Sequence, residues 1–74
     1  VSKILVRDWS SEPGFINAFL STTDRDDPLI QDMRDWSHYH NAGTFKLTQT
    51  SSGYWAIIQG ATKTQHAMMK MRWR

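Results

Sequence analysis

The sequence predicts a small α+β domain ordered β-α-α-β-β-β, a C-terminal antiparallel meander with helices packed on one face. Three observations lead there. The chain has 74 residues, enough for a single domain spanning 1-74 around one core. Its apolar residues alternate in some segments and recur at helical spacing in others. Turn-forming groups (Pro13-Gly14, Asn41-Ala42-Gly43, Ser51-Ser52-Gly53) separate those segments.

Lys3 to Trp9 reads as a strand, with Ile4 and Val6 sharing one face. Ser10 to Gly14 interrupts it. Phe15, Ile16, Phe19 and Leu20 then recur at i, i+1, i+4 and i+5, the apolar face of a short helix with Pro13 near its first turn and Ser11 or Glu12 as cap. Ser21 to Asp27 is a polar loop. Asp27-Pro28 opens a second helix, Asp as N-cap and Pro at its first position, with Leu29, Ile30, Met33 and Trp36 as its stripe. Asn41-Ala42-Gly43 ends it, because Asn and Gly accept the left-handed conformation found at helix ends.

Thr44 to Thr50 alternates Thr and Lys with Phe45 and Leu47, a half-buried strand. Tyr54 to Gly60 is apolar on both faces, as a central strand is. His66 to Arg74 has a helix-forming composition. However, Ala67, Met69, Met71 and Trp73 alternate with Met68, Lys70, Arg72 and Arg74, and the alternation favours a final strand. The expected core takes Ile4 and Val6 from the first strand, Phe15 and Phe19 from the first helix, and Leu29, Met33 and Trp36 from the second. The meander adds Phe45, Leu47 and Ile58.

Composition narrows the classes of function. Without cysteine there is neither a disulfide framework nor a thiolate zinc site. Leu, Ile, Val and Phe together fall just under a fifth of the chain, a level that warns of disorder only when net charge is high. Here net charge is +2, and four Trp and four Met add core material. No apolar run approaches the ~18 residues that span a bilayer, and nothing resembles a secretory leader. The expectation is a cytoplasmic protein without a membrane partner. Val1 in place of Met points to a trimmed or processed start.

Charge is divided along the chain. Residues 1–37 hold all seven acids, against Lys3, Arg7, Arg25 and Arg34. Residues 38–74 hold Lys46, Lys63, Lys70, Arg72, Arg74 and all three histidines, with no acid. Such asymmetry suggests an anion-attracting surface, unless the two halves pack together and neutralise each other.

Catalytic motifs are absent. No serine sits in a Gly-x-Ser-x-Gly turn, and the scattered glycines form no phosphate loop or dinucleotide fingerprint, so no cofactor is expected. His38-Tyr39-His40 with His66 invites a zinc site. At a helix end, though, a spacing of two splays the rings by about 200°, and the helix dipole accounts for histidine there. Asp24-Arg25-Asp26-Asp27 lacks the following oxygen ligand and Gly of a calcium loop. A small ribonuclease stays open as a second alternative, with His38, His40 and His66 moving protons beside Lys70 or Arg72, although no motif accompanies these residue types.

The favoured function is a non-enzymatic binding module that contacts nucleic acid, DNA or RNA, through the basic C-terminal strand. If Ala67, Met69, Met71 and Trp73 point inward, Lys70, Arg72 and Arg74 form an outward row with His66. Its spacing of about 6.6 Å is close to that of phosphates along an extended strand. Lys46 and Lys63 extend the patch, and Trp55 or Tyr54 offers a ring for base stacking. The first alternative is a small inhibitor or adaptor with an acidic or other protein partner, acting through a Trp- and Met-rich surface, with a homodimer as one form.

Overall fold

The computed structural model describes residues 3–73. The order is β1 (Ile4–Val6), β2 (Ile16–Thr22), α1 (Pro28–His40), β3 (Thr44–Thr50), β4 (Gly53–Gln59) and α2 (Lys63–Arg72). All pairings are antiparallel, and the sheet runs β1-β2-β4-β3. The fold is α+β, with α1 packed over β3 and β4 and α2 over β1 on the same side of the sheet. The element order differs from β-α-α-β-β-β at two places, where an expected helix is a strand and the expected last strand is a helix.

α1 matches its local start and stop signals, and of the two ends the spacing allows, Ser37 or His40, the helix reaches His40. Asp27 caps it, its Oδ1 accepting from Leu29 N–H (2.9 Å), and Asn41 ends it in the left-handed conformation at φ 50°. Asp27 Oδ2 also accepts from the Thr22 hydroxyl (2.8 Å), which ties the helix start to the end of β2.

The first correction is β2. Asn17 sits at a register irregularity between Ile16 and Ala18, so the phase of side chains slips by one residue there. Ile16 therefore lies opposite Gln59 and Phe19 opposite Ile57 on one face, while Ala18 and Leu20 line the other. An uninterrupted strand would space same-face residues by two. The slip turns that into a spacing of three, which resembles a helix. Asn17 is itself buried, and its Oδ1 accepts from Ala61 N–H (2.9 Å).

The second correction is α2. Thr62 Oγ1 accepts from Gln65 N–H (3.2 Å) while Gln65 Oε1 accepts from Thr62 N–H (3.0 Å), a reciprocal capping box. The buried residues from here on are His66, Met69 and Trp73, spaced as one helical stripe. Ala67 and Met71 face solvent, and Met71 is 82% exposed. Burial thus follows the helical period and not the alternation.

The register lays Ile4, Leu20 and Ala56 in one row and Val6, Ala18, Ile58 and Phe45 in the next, all beneath the helices. Ile30, Met33 and Trp36 descend on them from α1, and Met69 and Trp73 from α2. Three expected core residues lie elsewhere. Phe19 is on the opposite face, Leu47 on the edge strand is 47% exposed, and Phe15 precedes β2 outside the cluster. Gly43 passes so close to Gln59 that a Cβ would collide with its carbonyl oxygen, and its φ of 66° is costly for any other residue.

This division predicts a contrast in stability. Trp36→Ala should cost roughly 3–5 kcal/mol, as for a buried aromatic, and Phe19→Ala distinctly less. Thr62→Ala should cost about 1 kcal/mol by removing the cap of α2. Urea denaturation measures all three, and equal losses at Trp36 and Phe19 would return Phe19 to the core.

Candidate functional site

The two faces of the sheet differ in kind. The helices bury one. On the other, Leu5, Phe19, Ile57 and Lys46 form a row across all four strands, and Ser21, Trp55 and Thr48 form the next. Among the described residues, no helix covers these side chains. Leu5 is 54% and Trp55 46% exposed, while Phe19 and Ile57 are half-buried by their neighbours. The Phe19 and Trp55 rings meet edge to face at 5.8 Å and 63°, a geometry that holds both rings in place and leaves ring surface toward solvent. Lys46 stands opposite Ile57, one diagonal step from Trp55. Lys3 and Arg7 flank β1 with the same parity as Leu5, and both are exposed. Among the described residues, no Asp or Glu lies on any strand.

The sheet thus brings Lys46 and Trp55 together, and the other expected contact residues are dispersed. Lys63 begins α2, with its ammonium 5.8 Å from the centroid of the Trp9 ring. His66 is buried, and its Nε2–H donates to the Arg7 carbonyl oxygen. Lys70 borders a groove beside β1. Arg72 pairs with Asp32 across the helix layer. Arg74 lies outside the described residues. Because the segment is helical, Lys70 and Arg72 point about 200° apart, and the outward basic row of a C-terminal strand does not form.

Asp32 gathers both ends of that contact. Arg72 Nε–H donates to its Oδ2 (3.3 Å), Arg72 Nη2–H donates to Oδ1, and the Trp73 indole N–H donates to Oδ2 (2.8 Å). The Arg72 hydrogen bonds lead in lowering the Asp32 pKa below the ordinary carboxylate value, against an opposing effect of burial.

Phe19, Leu5 and Ile57 were not expected at a binding face. The signal was present in Tyr54 to Gln59, which is apolar on both sides. That pattern marks a strand in the middle of a sheet, but does not reveal whether both faces are covered. A second apolar surface lies on the outside of the helix layer, where Tyr39 (85% exposed) and Met71 (82%) flank Trp36 and Arg72. His38 and His40 occupy the last turn of α1, and among the described residues no three His, Asp or Glu side chains converge as a metal site requires. No helix among the described residues is long and apolar enough to cross a membrane.

A scan against protein-family models finds no match, and searches of curated proteins and of solved structures find no significant one.

The Asp32 pair has a predictable pH signature. The folded pKa lies below that of the unfolded chain, so the stabilisation is complete above about pH 4 and is lost as pH falls through the folded value. Asp32→Asn should cost about 0.5–1 kcal/mol at neutral pH, the range of a solvent-screened ion pair. Thermal melts of parent and variant should converge as the pH is lowered past that point.

Proposed function

We propose that this chain is a non-enzymatic module that binds single-stranded nucleic acid on the open face of its sheet. The observation that supports this most is the Phe19–Trp55 ring pair, exposed on a face whose strands carry Lys46 and no acid. Bases unstacked from a duplex present two flat apolar surfaces each. An aromatic ring held rigidly by a sheet replaces the lost stacking at about 1–3 kcal/mol per base, whatever the base. Lys46 on one edge strand, with Lys3 and Arg7 beside the other, supplies positive charge on both flanks of the rings, where a backbone crossing the strands places its phosphates. The acids are on α1 and in loops, and among the described residues none is on a strand of the sheet.

The surface is few in cations, and its affinity should accordingly be modest, with stacking as the larger part. An adaptor acting through protein contact is the second reading, favoured by the exposure of Tyr39 and Met71 on the helix side. The two readings use opposite faces and differ in their response to salt.

Fluorescence anisotropy with a labelled single-stranded oligonucleotide, at two salt concentrations, tests the first reading. Trp55→Ala should weaken binding by roughly 5- to 100-fold, as the loss of one stacked base does. Lys46→Glu should weaken it and flatten the salt dependence. Circular dichroism should show both variants folded, since each side chain is exposed. Unchanged affinity in both variants, or binding abolished instead by Met71→Glu, would remove the open face from the function.

A further inference from the structure

β1 is an outer strand of the sheet, and among the described residues nothing pairs with its far side. The Arg7 N–H donates to the Asn17 carbonyl (2.8 Å), so the backbone of Arg7 turns toward β2. By strand alternation Leu5 turns the same way, and the N–H and C=O groups of Ile4 and Val6 point outward from the sheet. A groove of about 270 Å³ runs along this edge, lined by Lys3, Ile4, Leu5, Val6, Lys70 and Trp73. Lys3 is supplied by β1's own approach and Lys70 by α2. Both are exposed, and among the described residues neither makes an ion pair.

We propose that this edge accepts a short extended peptide segment bearing carboxylates, which adds to the sheet as a further strand beside β1. A backbone edge with two outward N–H groups and two outward carbonyls is complementary to another peptide backbone and to little else. A nucleic-acid strand has no ladder of alternating donors and acceptors to match it. The two lysines stand at the groove from different elements, and they select the charge of the incoming segment. A second copy of this chain is the weaker fit, because β1 carries no carboxylate of its own and each copy would bring its Lys3 and Lys70 to the seam. An acidic segment neutralises the same groups. The groove shares Lys3 and Leu5 with the flank of the open face but none of the Phe19–Trp55 ring pair, and the peptide series is run without oligonucleotide, so its outcome is read apart from nucleic-acid binding.

The test uses the whole chain and three synthetic peptides of equal length. One alternates Glu with Val or Thr, one replaces every Glu by Lys, and one keeps Glu but carries N-methyl groups on consecutive main-chain nitrogens, so that neither of its edges can donate. The Glu peptide is expected to bind, with amide NMR shifts centred on Ile4 and Val6. The Lys peptide and the N-methyl peptide should each bind about tenfold more weakly or worse, because charge and backbone pairing are both required. Lys3→Glu combined with Lys70→Glu should weaken the Glu peptide by a similar factor and improve the Lys peptide. Should that variant fail to fold, the peptide series alone decides. Equal binding of the N-methyl and unmethylated peptides would show simple charge attraction and overturn the proposal. So would no measurable binding of the Glu peptide, or a self-associated dimer that shifts the Ile4 and Val6 amides in its place.

Discussion

Two helices, of 13 and 10 residues, must cover a sheet of four strands, and they have material for one face only. Strands about 4.8 Å apart make a sheet roughly 15–20 Å across, and two helices about 10 Å wide laid side by side span that width once. The bare face of the sheet follows from this limit on coverage. The helices are fastened to each other as well as to the sheet. Trp36 and Trp73 meet edge to face at 5.3 Å, and Asp32 on α1 receives both Arg72 and the Trp73 indole. At the opposite end, Gln65 Nε2–H donates to the His40 carbonyl (3.1 Å), joining the start of α2 to the end of α1.

The central strands β2 and β4 are apolar on both sides, yet only one side is buried. Phe19, Trp55 and Ile57 are left half-covered by their neighbours within the sheet. Residues of this kind are what a binding surface is made from, because they lose little on displacement of water and their rings are already fixed. The division of charge along the chain has a double fate. Part of it is spent internally, where Arg72 of the basic half meets Asp32 of the acidic half. Part survives as the acid-free sheet, with Lys46 unopposed on its open face.

How far each element was readable depended on how local its signals are. α1 is specified within its own segment, by Asp27-Pro28 at one end and Asn41 at the other, and its bounds follow. The β3–β4 hairpin is likewise local, with Ser51-Ser52-Gly53 between two patterned strands. β2 was misread because the irregularity at Asn17 changes its period, and that irregularity is stabilised by Ala61, far along the chain. α2 was misread for a different reason. The alternation of Ala, Met and Trp outweighs the helix-forming composition of the segment, and the capping box that decides for a helix, Thr62 with Gln65, lies just ahead of it. Of the candidate site, residue type alone points to Lys46 and to Trp55 or Tyr54, and only the register puts Lys46 and Trp55 on one face. The helical spacing of Phe15, Ile16, Phe19 and Leu20 points Phe19 to the core, and only the strand register puts it on the open face.

The sequence by itself determined the class of the fold, the start and stop signals of α1, and the hairpin. Each of these depends on a few residues near one another, where backbone preference and side-chain period act without outside help. Only the tertiary structure decided the phase of β2, the docking of α2 onto α1 and which face of the sheet was left bare. Those outcomes depend on contacts between segments some 40 residues apart, as between Asn17 and Ala61 or Asp32 and Arg72. An apolar strand reports that it wants cover on both sides, and the number of helices available decides which side receives it.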